Sequence, residues 1–168
     1  MTFTSSTVAN GAIFQMFSAL DSVLTKAEES AKGREIEEEI FLSARLAPDM
    51  LPMVSQVRIA TELPARALSR LAGADMPSFA DDETSFAALR ARATKALAHI
   101  KALDADAVDH DPSADITVPF GPGNEMTMPR AQYLQGFILP NLYFHMTMTY
   151  AILRHNGVEL GKRDFLAA

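Results

Sequence analysis

Asn141 and His145 stand one helical turn apart in PNLYFHMTMTYAILRHNG, an otherwise apolar run. Residues four apart on a helix lie one above the other. The apolar neighbours Leu134, Ile138, Met148 and Ile152 therefore mark the face carrying both polar side chains as inward. An unpaired amide or imidazole in a protein interior costs on the order of 1–3 kcal/mol, so each needs a partner, a water or an ion. Gln56, three residues after Met53 and four before Ala60, is the candidate that faces them from another helix. An imidazole so placed can act as a general base or as a single strong metal ligand, while amides orient a small ligand or satisfy one another. Pro140 precedes the pair and frees the Gly136 carbonyl from its usual amide partner, a local loosening that helps form a pocket. Tyr143 and Tyr150 either add phenolic hydroxyls near this site or pack with one wet end.

Other polar groups are read as structural. Asp109, His110 and Asp111 have metal-ligand types, but three adjacent side chains in a loop converge poorly, and a solvated acidic turn is expected. His99 is expected to be exposed beside Lys95. Arg154, His155 and Asn156 complement the carboxyl end of a helix, and REIEEE reads as a solvated face. No nucleophile elbow, no Ser, His and Asp arrangement and no phosphate-binding glycine loop can be argued. Cysteine is absent, which removes disulfides, thiolate metal sites and a Cys nucleophile.

Four helical segments must position these residues. The first carries Ile13, Phe17, Leu20, Leu24 and Ala27 inward, leaves Asp21, Lys26, Glu28 and Glu29 outside, and ends near Gly33. An irregular connection follows, with Ile40, Phe41 and Leu46 available to pack. The second helix is expected from Pro48 or Asp49 to Leu71, with Met53, Val57, Ala60, Ala67 and Leu71 inward, Pro64 as a kink and Gly73 closing it. The third opens behind Asp82 or Thr84 and buries Phe86, Leu89, Ala93, Leu97 and Ile100. Two short alternating runs, ITVPF and EMTM, joined by GPGN, predict a small exposed hairpin. The last helix starts at Pro129 and stops at Gly157; the tail VELGKRDFLAA lies back on the bundle or on a second subunit. The fold class is therefore all-α, an antiparallel four-helix bundle with a hairpin between the third and fourth helices, in one domain spanning 1–168.

Composition agrees with this plan. The chain has 168 residues, of which 48% are hydrophobic and 21% charged, enough to fill a core. A formal net charge of −6 argues against nucleic acid and against an anionic membrane as partners. The start of the chain lacks the basic and apolar regions of a signal peptide, and no stretch near eighteen apolar residues occurs, so a cytoplasmic protein is expected.

The block LPNLYFHMTMTYAILRHNGVELGKRDFL, together with RLAPDMLPMVSQVRIA and the order of helices, resembles the DinB and YfiT-like superfamily, and within it an uncharacterised bacterial domain-of-unknown-function family. That resemblance implies a bundle in which many members hold a divalent metal, Zn or Ni, through one His on the second helix and a His-x-x-x-His pair on the last. Carried across, His145 falls at the second position of the pair, Asn141 at the first and Gln56 at the helix-two position. A neutral carboxamide is a poor donor to such ions. The resemblance also implies a small thiol or thiol adduct as substrate, with His145 as base and Gln56 and Asn141 orienting it, in a small-molecule transferase or hydrolase. The alternative is a non-catalytic homodimer that binds a small ligand or a partner protein and uses the polar cluster to fix helix register.

Overall fold

The computed structural model describes residues 3–119 and 121–167. The four long helices are α1 (Ser5–Gly33), α3 (Met53–Ala72), α4 (Phe86–Lys101) and α7 (Leu139–His155), with α2 (Glu38–Ser43), α5 (Ala105–Val108), α6 (Arg130–Tyr133) and α8 (Lys162–Leu166) as short elements between and after them. Strands β1 (Asp115–Pro119) and β2 (Glu125–Pro129) form the hairpin, antiparallel with Val118 opposite Met126. Its turn needs two glycines, because Gly121 and Gly123 both hold positive φ, at 78° and 74°. One face of the hairpin is packed rather than exposed, with Val118 and Met128 in the core. Phe120, the last residue of the alternating run ITVPF, lies outside the described residues.

Side-chain contacts give the helix directions. Phe14 meets Lys101 and Asp21 meets Arg90, so α1 and α4 are antiparallel. Gln56 meets His145 of α7 and Arg70 meets Tyr133 of α6, so α3 runs antiparallel to the segment from α6 through α7. In contrast, Glu62 meets Arg92 and Ser69 meets His99, so α3 and α4 run the same way. A chain leaving α3 must then return the length of the helix before α4 begins. Residues 73–85 are that return strap. At up to about 3.3 Å per extended residue they exceed the roughly 30 Å length of a twenty-residue helix.

The stripe read for α1 is buried in full, and Met53, Val57, Ala60, Ala67 and Leu71 of α3 are likewise in the core. Helix α3 starts later than expected, with Pro52 as its cap and Met53 as its first residue, and runs through Pro64 to close on left-handed Gly73. The cap of α4 is Ser85, whose side chain accepts from the Ala88 amide, rather than Asp82 or Thr84. The connection after α1 is not irregular throughout. It contains α2, which buries Phe41 and Leu42 and leaves Ile40 exposed, because so short a helix presents only one side inward; Leu46, beyond its end, is exposed as well. The tail folds back on its own bundle. Val158 and Leu160 are buried, Lys26 pairs with Asp164 at 2.6 Å, and the Gln15 side chain donates to the Leu166 carbonyl.

Asp109 is not a solvated turn residue. Its two carboxylate oxygens accept from the Ser6 amide at 2.6 Å and the Ser6 hydroxyl at 2.7 Å, which ties the loop after α5 to the first turn of α1. Burial raises the Asp109 pKa, but the two Ser6 hydrogen bonds outweigh it and hold the carboxyl below its usual range. Replacing Asp109 with alanine is expected to cost about 1–2 kcal/mol, the range of a lost helix cap. Urea unfolding checks this, and an unchanged midpoint would exclude the capping role. His110 and Asp111 are exposed, as expected.

The largest departure from the sequence pattern is in the last helix. Residues Leu134–Ile138 form a π-helical turn, with the Leu139 amide bonding back to the Leu134 carbonyl. Such a turn holds one extra residue and rotates everything after it by roughly 100°. The inward face therefore becomes Leu142, Met146, Thr149 and Leu153, while Asn141, His145 and Met148 move to its half-buried edge. Pro140 supplies the cause, since it cannot return a hydrogen bond to the preceding turn.

Candidate functional site

Gln56 lies on α3 where that helix meets α7, and is 2% exposed. Its Nε2 donates to the Leu51 carbonyl at 3.1 Å, just ahead of the helix. That bond turns the amide so that Oε1 faces His145 Nδ1 at 2.8 Å. A carbonyl oxygen can only accept, so Nδ1 must carry the proton. Burial disfavours the imidazolium and lowers the His145 pKa, so the ring is neutral at pH 7 and Nε2 holds a lone pair. No hydrogen-bond partner of Nε2 occurs among the described residues. No buried side-chain nitrogen or oxygen there lacks a partner either, so Nε2 is open to solvent. Phe144 stands edge-on to the imidazole, ring centres 5.2 Å apart, and half of its surface is exposed.

Asn141 does not join this pair. Its Nδ2 donates to the Phe137 carbonyl at 2.8 Å, within the loosened turn of its own helix. The donor set thus fails the test for a three-ligand metal centre. Gln56 Oε1 is already taken by the imidazole, the Asn141 amide points along its helix, and no group of three His, Asp or Glu residues converges among the described residues. What remains is one oriented imidazole.

Tyr143 and Tyr150 make their contacts elsewhere. Tyr143 lines a mostly apolar cleft of about 510 Å³ with Phe3, Val8, Gly11 and Leu139. Tyr150 serves the tail, with its hydroxyl 3.5 Å from the Leu160 carbonyl and its ring edge-on to Phe165. His99 is half-buried rather than exposed, and its Nε2 lies 2.6 Å from the Ser69 hydroxyl. This is not a nucleophilic dyad. Ser69 is fully buried and gives its proton to the Ala65 carbonyl at 2.9 Å, so its oxygen can only accept from the ring.

Two arginines that the sequence pattern did not single out organise the rest. Arg92 is 4% exposed and meets Glu62, Glu83 and Asp81, with Phe79 stacked 4.5 Å from its guanidinium carbon. Its only signal was a charged residue three positions after Leu89, beside the inward stripe. Arg130 donates to the carbonyls of Leu71, Ala107, Val108 and His110, a role for which the sequence holds no cue because all four acceptors are backbone atoms.

The family model described as a domain of unknown function (DUF1993) matches residues 7–166. Among solved structures, a DinB family member protein from Shewanella denitrificans is 31% identical, with 98% of this chain and 94% of that chain covered and a TM-score of 0.87. No curated protein matches the chain.

Proposed function

The chain belongs to the DUF1993 family of domains of unknown function and has a DinB-like fold, and on that premise we propose that it binds a small molecule through one oriented imidazole. The atom that meets the ligand is His145 Nε2. The observation carrying this reading is the chain from Leu51 through Gln56 to His145, which fixes the proton on Nδ1 and leaves Nε2 as a lone pair open to solvent. A second-layer hydrogen bond of this kind orients a histidine and fixes its tautomer, while burial keeps the ring neutral. A neutral base so held accepts a proton from a weak acid, and the thiol class implied by the superfamily resemblance suits it, since a thiol gives up its proton near pH 8–9. Gln56 positions the ring; it does not touch the ligand. The amides at the Gln56 and Asn141 positions support a site working without the three-ligand centre of the resemblance.

The test is ¹⁵N NMR of the imidazole, with N-acetylcysteine as the probe. The free protein is expected to show a protonated Nδ1 and an unprotonated Nε2, and the thiol to move Nε2. Gln56→Leu should scramble the tautomer and weaken that response. An Nε2 signal indifferent to the thiol in a folded protein would sink the reading. Burial of His145 also makes the stability of the fold depend on the proton at its Nε2. The native state binds this proton less readily than the unfolded chain, so stability falls as pH drops below the unfolded value of about 6.5 and levels off below the native one. His145→Ala should flatten that slope in pH-dependent urea unfolding.

A second reading is favoured by the near-complete burial of Gln56 between α3 and α7. The bundle is then non-catalytic, and the hydrogen bond only fixes helix register. Pairing into a homodimer belongs to this reading; Val158 and Leu160 of the tail are taken up by its own bundle, whereas Leu166 is exposed. Here His145→Ala lowers the melting temperature and leaves no ligand response to lose.

A further inference from the structure

Away from His145, a cleft of about 380 Å³ opens where α3 ends, lined by Arg70, Leu71, Gly73, Asp106, His110 and Arg130 among others. Both arginines are half-buried and both are pinned. Arg70 donates through one terminal nitrogen to the Tyr133 hydroxyl at 3.1 Å. Arg130 spends Nε and one terminal nitrogen on four backbone carbonyls, at 2.8 to 3.2 Å. Those bonds account for Arg130 as a tie between α3 and the loop after α5, but leave its second terminal nitrogen without a partner among the described residues. Arg70 likewise keeps Nε and its second terminal nitrogen. No carboxylate among the described residues lies in ion-pair range of either guanidinium, whereas Arg58, Arg66, Arg90 and Arg92 all have one. Among the described residues Asp106 is the only acid lining the cleft, which it shares with two guanidinium charges and the exposed His110. In a chain of net charge −6 this is a site where positive charge is in excess.

We propose that this cleft binds a phosphate-class oxyanion, gripped by Arg70 and Arg130 with His110 at the rim. A carboxylate is satisfied by one guanidinium fork. Two guanidiniums entering from different elements suit a dianionic tetrahedral group with more oxygens to share. Because Tyr133 and the carbonyls hold both side chains in place, little rotamer freedom remains to be lost on binding. The site does not depend on His145.

The probe is inorganic phosphate, followed by ¹H–¹⁵N NMR at constant ionic strength, with acetate as a parallel arm. Saturable shifts of the Gly73, Ala107 and His110 amides are expected with phosphate and not with acetate. Arg70→Gln should weaken binding about tenfold or more, the scale of a lost charge-assisted pair. Tyr133→Phe keeps the guanidinium but frees it, and is expected to weaken binding by less. Arg70 makes a single side-chain hydrogen bond, so its variant is expected to fold; the dispersion of its spectrum checks that. Shifts that follow ionic strength alone, an acetate response equal to that of phosphate, or a folded Arg70→Gln that titrates like the parent would each overturn the proposal.

Discussion

Arg92→Met is expected to lower the unfolding free energy by about 3–5 kcal/mol, the range for removing one member of a buried ion network. For a chain of this size that is on the order of 6–20 °C in melting temperature. The side chain is 1% exposed, and its loss strands Glu83, only 9% exposed, with Arg58 as its remaining partner. It also removes the hydrogen bond to buried Thr61 and the cation resting on Phe79. Arg90→Met is the control. Its pairs with Asp21 and Glu28 lie in solvent, where such pairs contribute about 0–1 kcal/mol. Equal melting shifts for the two variants would show that burial of the network does not matter. The network also sets an acid limit. Burial raises the Glu83 pKa, but hydrogen bonds from Arg92 and Arg58 outweigh it and hold the carboxyl below its usual range. Its stabilising contribution is thus complete above the unfolded glutamate value of about 4.3 and is lost as pH falls through the lower native value. In Arg92→Met part of that acid sensitivity should disappear.

The strap explains why the network stands where it does. Parallel α3 and α4 force residues 73–85 back along the bundle, and a segment without regular hydrogen bonding needs side chains to hold it. Phe79 lies under Arg92 and Lys95, Lys95 donates to the Ser78 carbonyl, and Glu83 and Asp81 reach the same guanidinium. Proteolysis confined to the strap is the expected first sign of damage in Arg92→Met.

Truncation after Gly157 is expected to destabilise the protein by about 3–5 kcal/mol. Val158 is fully buried and Leu160 nearly so, and burial of each such side chain contributes about 1.5–3 kcal/mol. The Lys26–Asp164 pair, with Lys26 about half in solvent, adds at most a few tenths. The loss should appear in urea unfolding of the monomeric species with no change in assembly state. A truncated chain that kept full stability but changed its oligomeric state would return the tail to a second subunit.

The helices were legible from hydrophobic period alone. The α1 stripe from Ile13 to Ala27, the α3 stripe from Met53 to Leu71 and the GPGN turn each follow from local geometry, because burial of one face dictates apolar spacing wherever the backbone stays regular. The pairing of Gln56 with His145 was legible for the same reason, as two polar residues beside facing stripes. Asn141 was misplaced because the period was carried unbroken through Leu134–Ile138. One extra residue in a π turn changes the phase of all that follows, and Pro140 announced the disturbance without its size. The partners of Arg92, Arg130 and Asp109 were not legible at all, since they come from segments brought together only when α3 and α4 run parallel and the strap and hairpin close over the bundle ends. The sequence by itself determined the all-α bundle, its hairpin and the candidate imidazole, because these rest on spacing within a segment. Tertiary structure alone decided the helix directions, which lone pair faces solvent, where the tail goes and which charges are buried, because each depends on groups far apart in the chain and on the orientation that packing imposes.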